Sequence, residues 1–188
     1  MVLCWIRDTI PEKNSDPHMK YPGQYLTPEE LYITTGVRLS RVPLEHLTNE
    51  DRLAELRKFK GYVYNDYVTI VRGKTDEEVL KMEAYMTEHI HHDPEVRLIV
   101  DGKGYFEVRD IDDNWVRMHV FPGDLIDLPT GIFHRFSLDN DEYVRMHRLF
   151  TDVPDWTAVN RTDITTHPSR DRYMEYMNQV KTGLIEAN

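Results

Sequence analysis

The sequence predicts a mainly β fold, an antiparallel sandwich or barrel preceded by helices and closed by one more. From about Tyr85 to Phe150, short apolar and β-branched segments alternate with Gly, Pro, Asn and Asp at intervals of roughly 8 to 12 residues, the spacing of a sandwich or barrel. These intervals leave no room for crossover helices, so pairing must be antiparallel. Capped helical patterns fall only outside this region.

Residues 1–26 open on a short apolar stretch and pass into EKNSDPHMKYPGQY, whose turn-forming content reads as loop. Thr27-Pro28-Glu29-Glu30 then combines an N-cap, a proline at the first helical position and a glutamate three residues after the cap, so a helix should run toward Gly36. Thr48 repeats the device before EDRLAELRKFKGY, where Leu53, Leu56 and Phe59 recur at helical spacing and Tyr62 continues the series. Thr75 opens a third helical segment in DEEVLKM. Residues 1–83 are thus expected to be helix and loop.

Strands follow at Tyr85–His91, Glu95–Val100, Gly104–Asp110, Trp115–Phe121, Leu125–Leu128, His134–Leu138 and Tyr143–Phe150, read as a meander with turns at Asp93-Pro94, DGKG, DIDDN, PGD, PTG and DND. Beyond Trp156 the chain loosens until SRDRYMEYMNQV, a C-terminal helix expected to carry Tyr173, Met174 and Met177 on one side. No repeat, low-complexity tract or linker divides the 188 residues, a length suited to one domain. That domain comprises an elaboration over 1–83, a β core over 84–150 and a tail with a helix over 151–188.

Lys plus Arg number 23 against 33 Asp plus Glu, and the net charge of -10 comes without a basic cluster, which excludes phosphate backbones and anionic lipid as partners. A single cysteine, Cys4, needs no oxidising compartment. Charge arrives at Arg7, too early for a signal-peptide core, and no apolar run approaches the roughly 20 residues of a membrane span. A monomer in the cytoplasm is expected, with the nucleus as a second compartment.

Of nine histidines, three fall in HIHHDPE at residues 89–95. His89 and His91, two apart on a strand, leave the same face and can converge on one ion. Glu95 has the same parity, yet a straight strand would carry it roughly 13 Å past His91. Asp93-Pro94 resolves the conflict, because proline restricts its own φ and its predecessor and favours a turn that returns Glu95 on a neighbouring strand. His134, just after Pro129-Thr130-Gly131, supplies a fourth inward ligand. Three imidazoles and a carboxylate suit a borderline first-row metal with two positions open, whereas a structural zinc would be closed and often thiolate-rich.

Arg97 shares parity with Glu95, and Arg148 shares parity with Val144 and Met146, so both arginines are expected to face inward, where a guanidinium needs an anion. They could hold an oxygen-rich anionic ligand, or pair with carboxylates such as Asp124 or Asp127. Phe136 and Tyr85 could form an aromatic wall, or simply pack in the core.

These residues resemble the cupins, whose motifs are G-x5-H-x-H-x3,4-E-x6-G and G-x5-P-x-G-x2-H-x3-N. His89, His91, Glu95 and Gly102 match the first, with Glu83 at the leading glycine position, and Gly123, Pro129, Gly131 and His134 match the second, with Leu138 at the asparagine position. Within the cupins, EHIHHDPEVRLIVDGKGYFEVRD, PGDLIDLPTGIFHRF, RLF and VPDWTAVNR are similar to the acireductone dioxygenase family of methionine salvage, over nearly the whole chain. The resemblance implies a cupin barrel, a double-stranded β-helix or jelly roll, holding one Fe(II) or Ni(II) on His89, His91, Glu95 and His134. It implies substrate-orienting, catalytic roles for Arg97 and Arg148, and a wall of Phe136 with Tyr85 where the family usually has Phe. The implied partners are the acireductone 1,2-dihydroxy-5-(methylthio)pent-1-en-3-one and dioxygen. Implied products are 4-methylthio-2-oxobutanoate and formate with iron, and 3-methylthiopropanoate, formate and carbon monoxide with nickel. The rival readings are a cupin dioxygenase acting on a catechol-like substrate and a non-catalytic metal-binding cupin.

Overall fold

Burying one face of each amphipathic strand requires a second layer, and the computed structural model, which describes residues 2–9, 13–73 and 75–185, supplies it as two antiparallel sheets. Among the described residues the strands are β1 (Leu3–Ile6), β2 (Tyr25–Leu26), β3 (Arg38–Arg41), β4 (Tyr64–Val71), β5 (His89–Ile90), β6 (Glu95–Gly102), β7 (Gly104–Arg109), β8 (Trp115–Val120), β9 (Asp124–Leu128), β10 (His134–Leu138), β11 (Tyr143–Phe150) and β12 (Val159–Asn160). Four α-helices accompany them: α1 (Pro28–Thr35), α2 (Glu50–Lys60), α3 (Asp76–Met86) and α4 (Pro168–Lys181). One sheet runs β12-β5-β10-β7-β8-β1-β2 and the other β3-β9-β6-β11-β4. Their inner faces share a core that includes Ile99, Phe106, Val108, Val116, Met118, Ile126, Leu128 and Phe136. This is the jelly-roll arrangement expected from the cupin motifs.

The meander is corrected. From β5 to β11 the chain changes sheet at every connection except the β7–β8 hairpin, so β6 pairs with β9 and β11 rather than with its sequence neighbour. Alternating apolar patterns fit either arrangement, and only the need to cover two apolar faces with each other selects the crossing one.

Two of the three expected caps, Thr27 and Thr75, hold. Thr27 forms the full capping box with Glu30, and α1 ends at Gly36 with φ 73°. Thr75 does the same with Glu78 for α3. The cap of α2 is Asn49 rather than Thr48, its side chain accepting from the Arg52 amide at 3.2 Å. Phe59 stands 85% exposed instead of continuing the packed stripe of Leu53. On α4, Tyr173 and Met177 are buried one turn apart, but Met174 lies off that face and is exposed.

Residues 1–83 are more than helix and loop. β1 extends one sheet against β8, while β3 and β4 flank the other against β9 and β11. The signal for β4 lay in YNDYVTIV, rich in β-branched and aromatic residues, with Asp66, Val68 and Ile70 on one parity. Conversely, the strand expected from Tyr85 begins only at His89, because α3 runs through Met86. Glu12 of the expected opening loop, and residues 1 and 186–188 of the expected single domain, lie outside the described residues.

Candidate metal centre

The centre sits where the chain turns from one sheet into the other. His89 on β5 lies opposite His134 on β10, and the Asp93-Pro94 turn carries the chain across to Glu95, the first residue of β6. A ligand nitrogen from each of His89, His91 and His134 lies within 4.8 Å of the others. Glu95 Oε2 stands 3.4 Å from both His91 Nε2 and His134 Nε2.

Each imidazole is aimed by a backbone carbonyl. The Nδ1 atoms face Thr87 O at 2.6 Å for His89, Thr157 O at 3.2 Å for His91 and Ile132 O at 2.9 Å for His134. A carbonyl oxygen only accepts, so Nδ1 carries the proton in each ring and Nε2 keeps its lone pair. His134 Nε2 is buried with no hydrogen-bond partner, an arrangement that is costly unless a cation takes the lone pair.

The protonation states match a cation site. Burial, helped by the nearby His134, lowers His89 to about 4, and burial lowers His91 despite the opposing charge of Glu95. Burial also works against ionisation of Glu95, but neighbouring positive charge, led by the Arg97 guanidinium, outweighs it and holds the carboxyl well below its usual range. At neutral pH His89 and His91 are therefore unprotonated and Glu95 is ionised, so these three donors need lose no proton to coordinate. The residues fit a first-row divalent ion.

The two arginines come together here. Arg97 and Arg148 are directly paired across the β6–β11 ladder. Arg97 is buried, with Nη2 3.3 Å from Glu95 Oε2, Nη1 donating to Val96 O at 3.0 Å, and its guanidinium 5.5 Å over the Phe150 ring. Arg148 donates from Nε and Nη2 to Asp66 Oδ1 and Oδ2 at 2.7 and 2.6 Å, and lies 4.0 Å over Trp156. Their carboxylate partners are thus Glu95 and Asp66 rather than Asp124 or Asp127; Asp124 pairs with Arg41.

Both guanidinium groups and all four candidate ligands line a cavity of about 250 Å³. Its apolar side is Val68, Ile70, Phe106, Phe136 and Met146, with Phe106 and Phe136 4.9 Å between ring centroids. Tyr85 joins this wall from α3 rather than from a strand. Sequence reasoning missed Val68 and Ile70, which reach the cavity from β4, Asp66, which grips Arg148 from the same strand, and Trp156, which arrives from the segment after the last long strand. The parity of Asp66 with Val68 and Ile70 was the available signal; for Trp156 there was none.

Other histidines lie outside the cluster. His92 approaches Ser169 Oγ at 3.4 Å and rests on His167, and His119 pairs with Asp139. His147 meets Asn65 Oδ1 at 2.8 Å under Tyr67, away from the cavity.

Residues 3–158 match the model of the ARD/ARD' family. The chain is similar to proteins named acireductone dioxygenase from Drosophila melanogaster, 40% identical over 86% of this chain and 87% of that one, and from Gallus gallus, 40% identical over 94% and 97%. The Homo sapiens protein of the same name is 35% identical over 95% of this chain and 99% of its own. Among solved structures, an acireductone dioxygenase from Bacillus anthracis with a cadmium ion in its active centre superposes with a TM-score of 0.64 at 22% identity, covering 85% of this chain and 99% of that one, and shares its fold.

Proposed function

The chain belongs to the acireductone dioxygenase family, and from that membership we propose that it cleaves 1,2-dihydroxy-5-(methylthio)pent-1-en-3-one with dioxygen in methionine salvage. The observation that carries the reading is the convergence of three Nδ1-tethered imidazoles and Glu95 at one end of a cavity that also holds two guanidinium groups and an apolar wall.

His89, His91, Glu95 and His134 would hold one Fe(II) or Ni(II) per chain. When bound, such an ion would supply Lewis acidity that favours the ionised form of the enediol. The remaining work falls to the protein. Arg97 and Arg148 stabilise negative charge on the ionised enediol, and their placement on facing positions of β6 and β11 orients the ligand along the ladder. Val68, Ile70, Phe136 and Tyr85 receive the methylthio-bearing chain and keep water from the reacting end. Arg97 also keeps the Glu95 carboxyl ionised beside the imidazoles.

The working unit is a single-domain monomer of the cytoplasm, with the nucleus as a second compartment; light scattering on the purified protein tests the monomer. No helix among the described residues is long and apolar enough to cross a membrane. The deciding experiment strips the protein, reloads it with each metal and analyses the products under limited oxygen. The iron form should yield 4-methylthio-2-oxobutanoate and formate, and the nickel form 3-methylthiopropanoate, formate and carbon monoxide. Failure of both forms to consume the acireductone would overturn the assignment; identical products from both would overturn the dependence on the metal.

A further inference from the structure

We propose that Asp66 is a positioning residue for substrate binding: through a two-pronged ion pair it holds Arg148 at the cavity wall and offsets the charge of the paired arginines. The inference rests on the acireductone reading for its substrate, and on the geometry of β4, β11 and β6 for its mechanism.

Along the sheet, Arg148 sits in register between Arg97 of β6 on one side and Asp66 of β4 on the other. Two like charges directly opposite on a ladder repel, and a long arginine side chain has the freedom to swing away. Arg97 is steadied by Glu95, which lies in the metal cluster. The corresponding anion for Arg148 is Asp66, and both carboxylate oxygens are engaged, on Nε and Nη2. A two-pronged pair fixes the plane of the guanidinium as well as its position. Trp156 covers one face of that plane at 4.0 Å. Nη1 has no hydrogen-bond acceptor among the described residues, and Arg148 lines the cavity, so this is the amine left to meet a ligand oxygen. The four charged groups run as carboxylate, guanidinium, guanidinium, carboxylate and sum to zero. A bound divalent ion would then give the site the surplus charge that an ionised enediol neutralises.

The test is a double-mutant cycle on the metal-loaded protein: wild type, Asp66→Asn, Arg148→Met and the double variant. Asp66→Asn should keep its metal and lose about tenfold or more in kcat/KM, while the same change in the Arg148→Met background should cost less than about twofold, because the residue acts through Arg148. Asp66→Glu, which keeps a carboxylate able to grip the fork, should recover part of the loss. A second readout needs neither metal nor substrate. In the stripped protein Asp66→Asn should change the tryptophan emission, and the change should vanish in a Trp156→Phe background, since the guanidinium lies on that ring. Equal losses in both Arg148 backgrounds, unchanged kcat/KM in Asp66→Asn, or unchanged emission would overturn the proposal. A wild-type protein that ignores the acireductone would sink the substrate reading alone, leaving the emission comparison to decide whether Asp66 positions Arg148.

Discussion

A carbonyl behind each imidazole means that every candidate metal-binding histidine is pre-aimed, so losing one removes a fixed arm that no neighbour replaces. His91→Ala is expected to lose most of its bound metal and its turnover together, as elemental analysis and oxygen uptake would show; full metal with full rate would remove His91 from the ligand set. Arg97→Met keeps bulk but removes the charge beside Glu95, so metal content at neutral pH should persist while kcat/KM falls by roughly 2 to 4 kcal/mol of lost stabilisation. Unchanged kinetics would make Arg97 a structural partner of Glu95. The convergence of His89, His91 and Glu95 was legible in the sequence because a common centre demands fixed spacing and a turn, and HIHHDPE carries both. Asp66 was not legible, since its partner Arg148 is 82 positions away and only the β4–β11 register joins them. Of the alternatives left open for the arginines, each does pair with a carboxylate, though with Glu95 and Asp66 and not Asp124 or Asp127, and each also lines the cavity.

Elements were readable wherever one local device defines them. Capping boxes located α1 and α3, and turn residues bounded β6 to β11 to within about two residues. What a local pattern does not contain is the choice of neighbour. The same alternation permits a meander or a chain that crosses between sheets, and YNDYVTIV became a strand because β11 offers it an edge. Contact between elements also governs the PTG turn ahead of His134. Gly131 has φ 77°, and a Cβ there would lie 2.0 Å from Ser169 O at the start of α4. Gly131→Ala therefore combines backbone strain with a clash against main chain, and should lower unfolding free energy by about 2 kcal/mol or more in urea titrations. A variant as stable as the parent would mean that α4 yields freely at this contact.

For the molecule as a whole, buried histidines tie stability to pH. Burial is the main cause that lowers both His89 and His147 to about 4 from 6.5, so between those values the unfolded chain binds more protons than the folded one. Metal-free protein should thus be most stable above about pH 6.5 and lose up to about 3 kcal/mol per ring as the pH falls toward 4. Glu95, depressed below its ordinary 4.5, extends the loss to lower pH. Thermal melts of the stripped protein at pH 7 and pH 5, at matched ionic strength, check the sign; equal midpoints would refute it. The crossing of the chain from sheet to sheet bears on synthesis. Each sheet is completed by partners made far apart in time: β1 waits for β8, β4 for β11, and His89 for both His134 and β12. A nascent chain emerging from the ribosome consequently holds isolated donors until residues beyond 150 are free, and contacts so distant in sequence form slowly. During refolding with metal present, ion uptake should keep pace with the slowest change in tryptophan emission and not precede it. Metal acquisition is then the closing act of biogenesis rather than the seed around which the chain assembles.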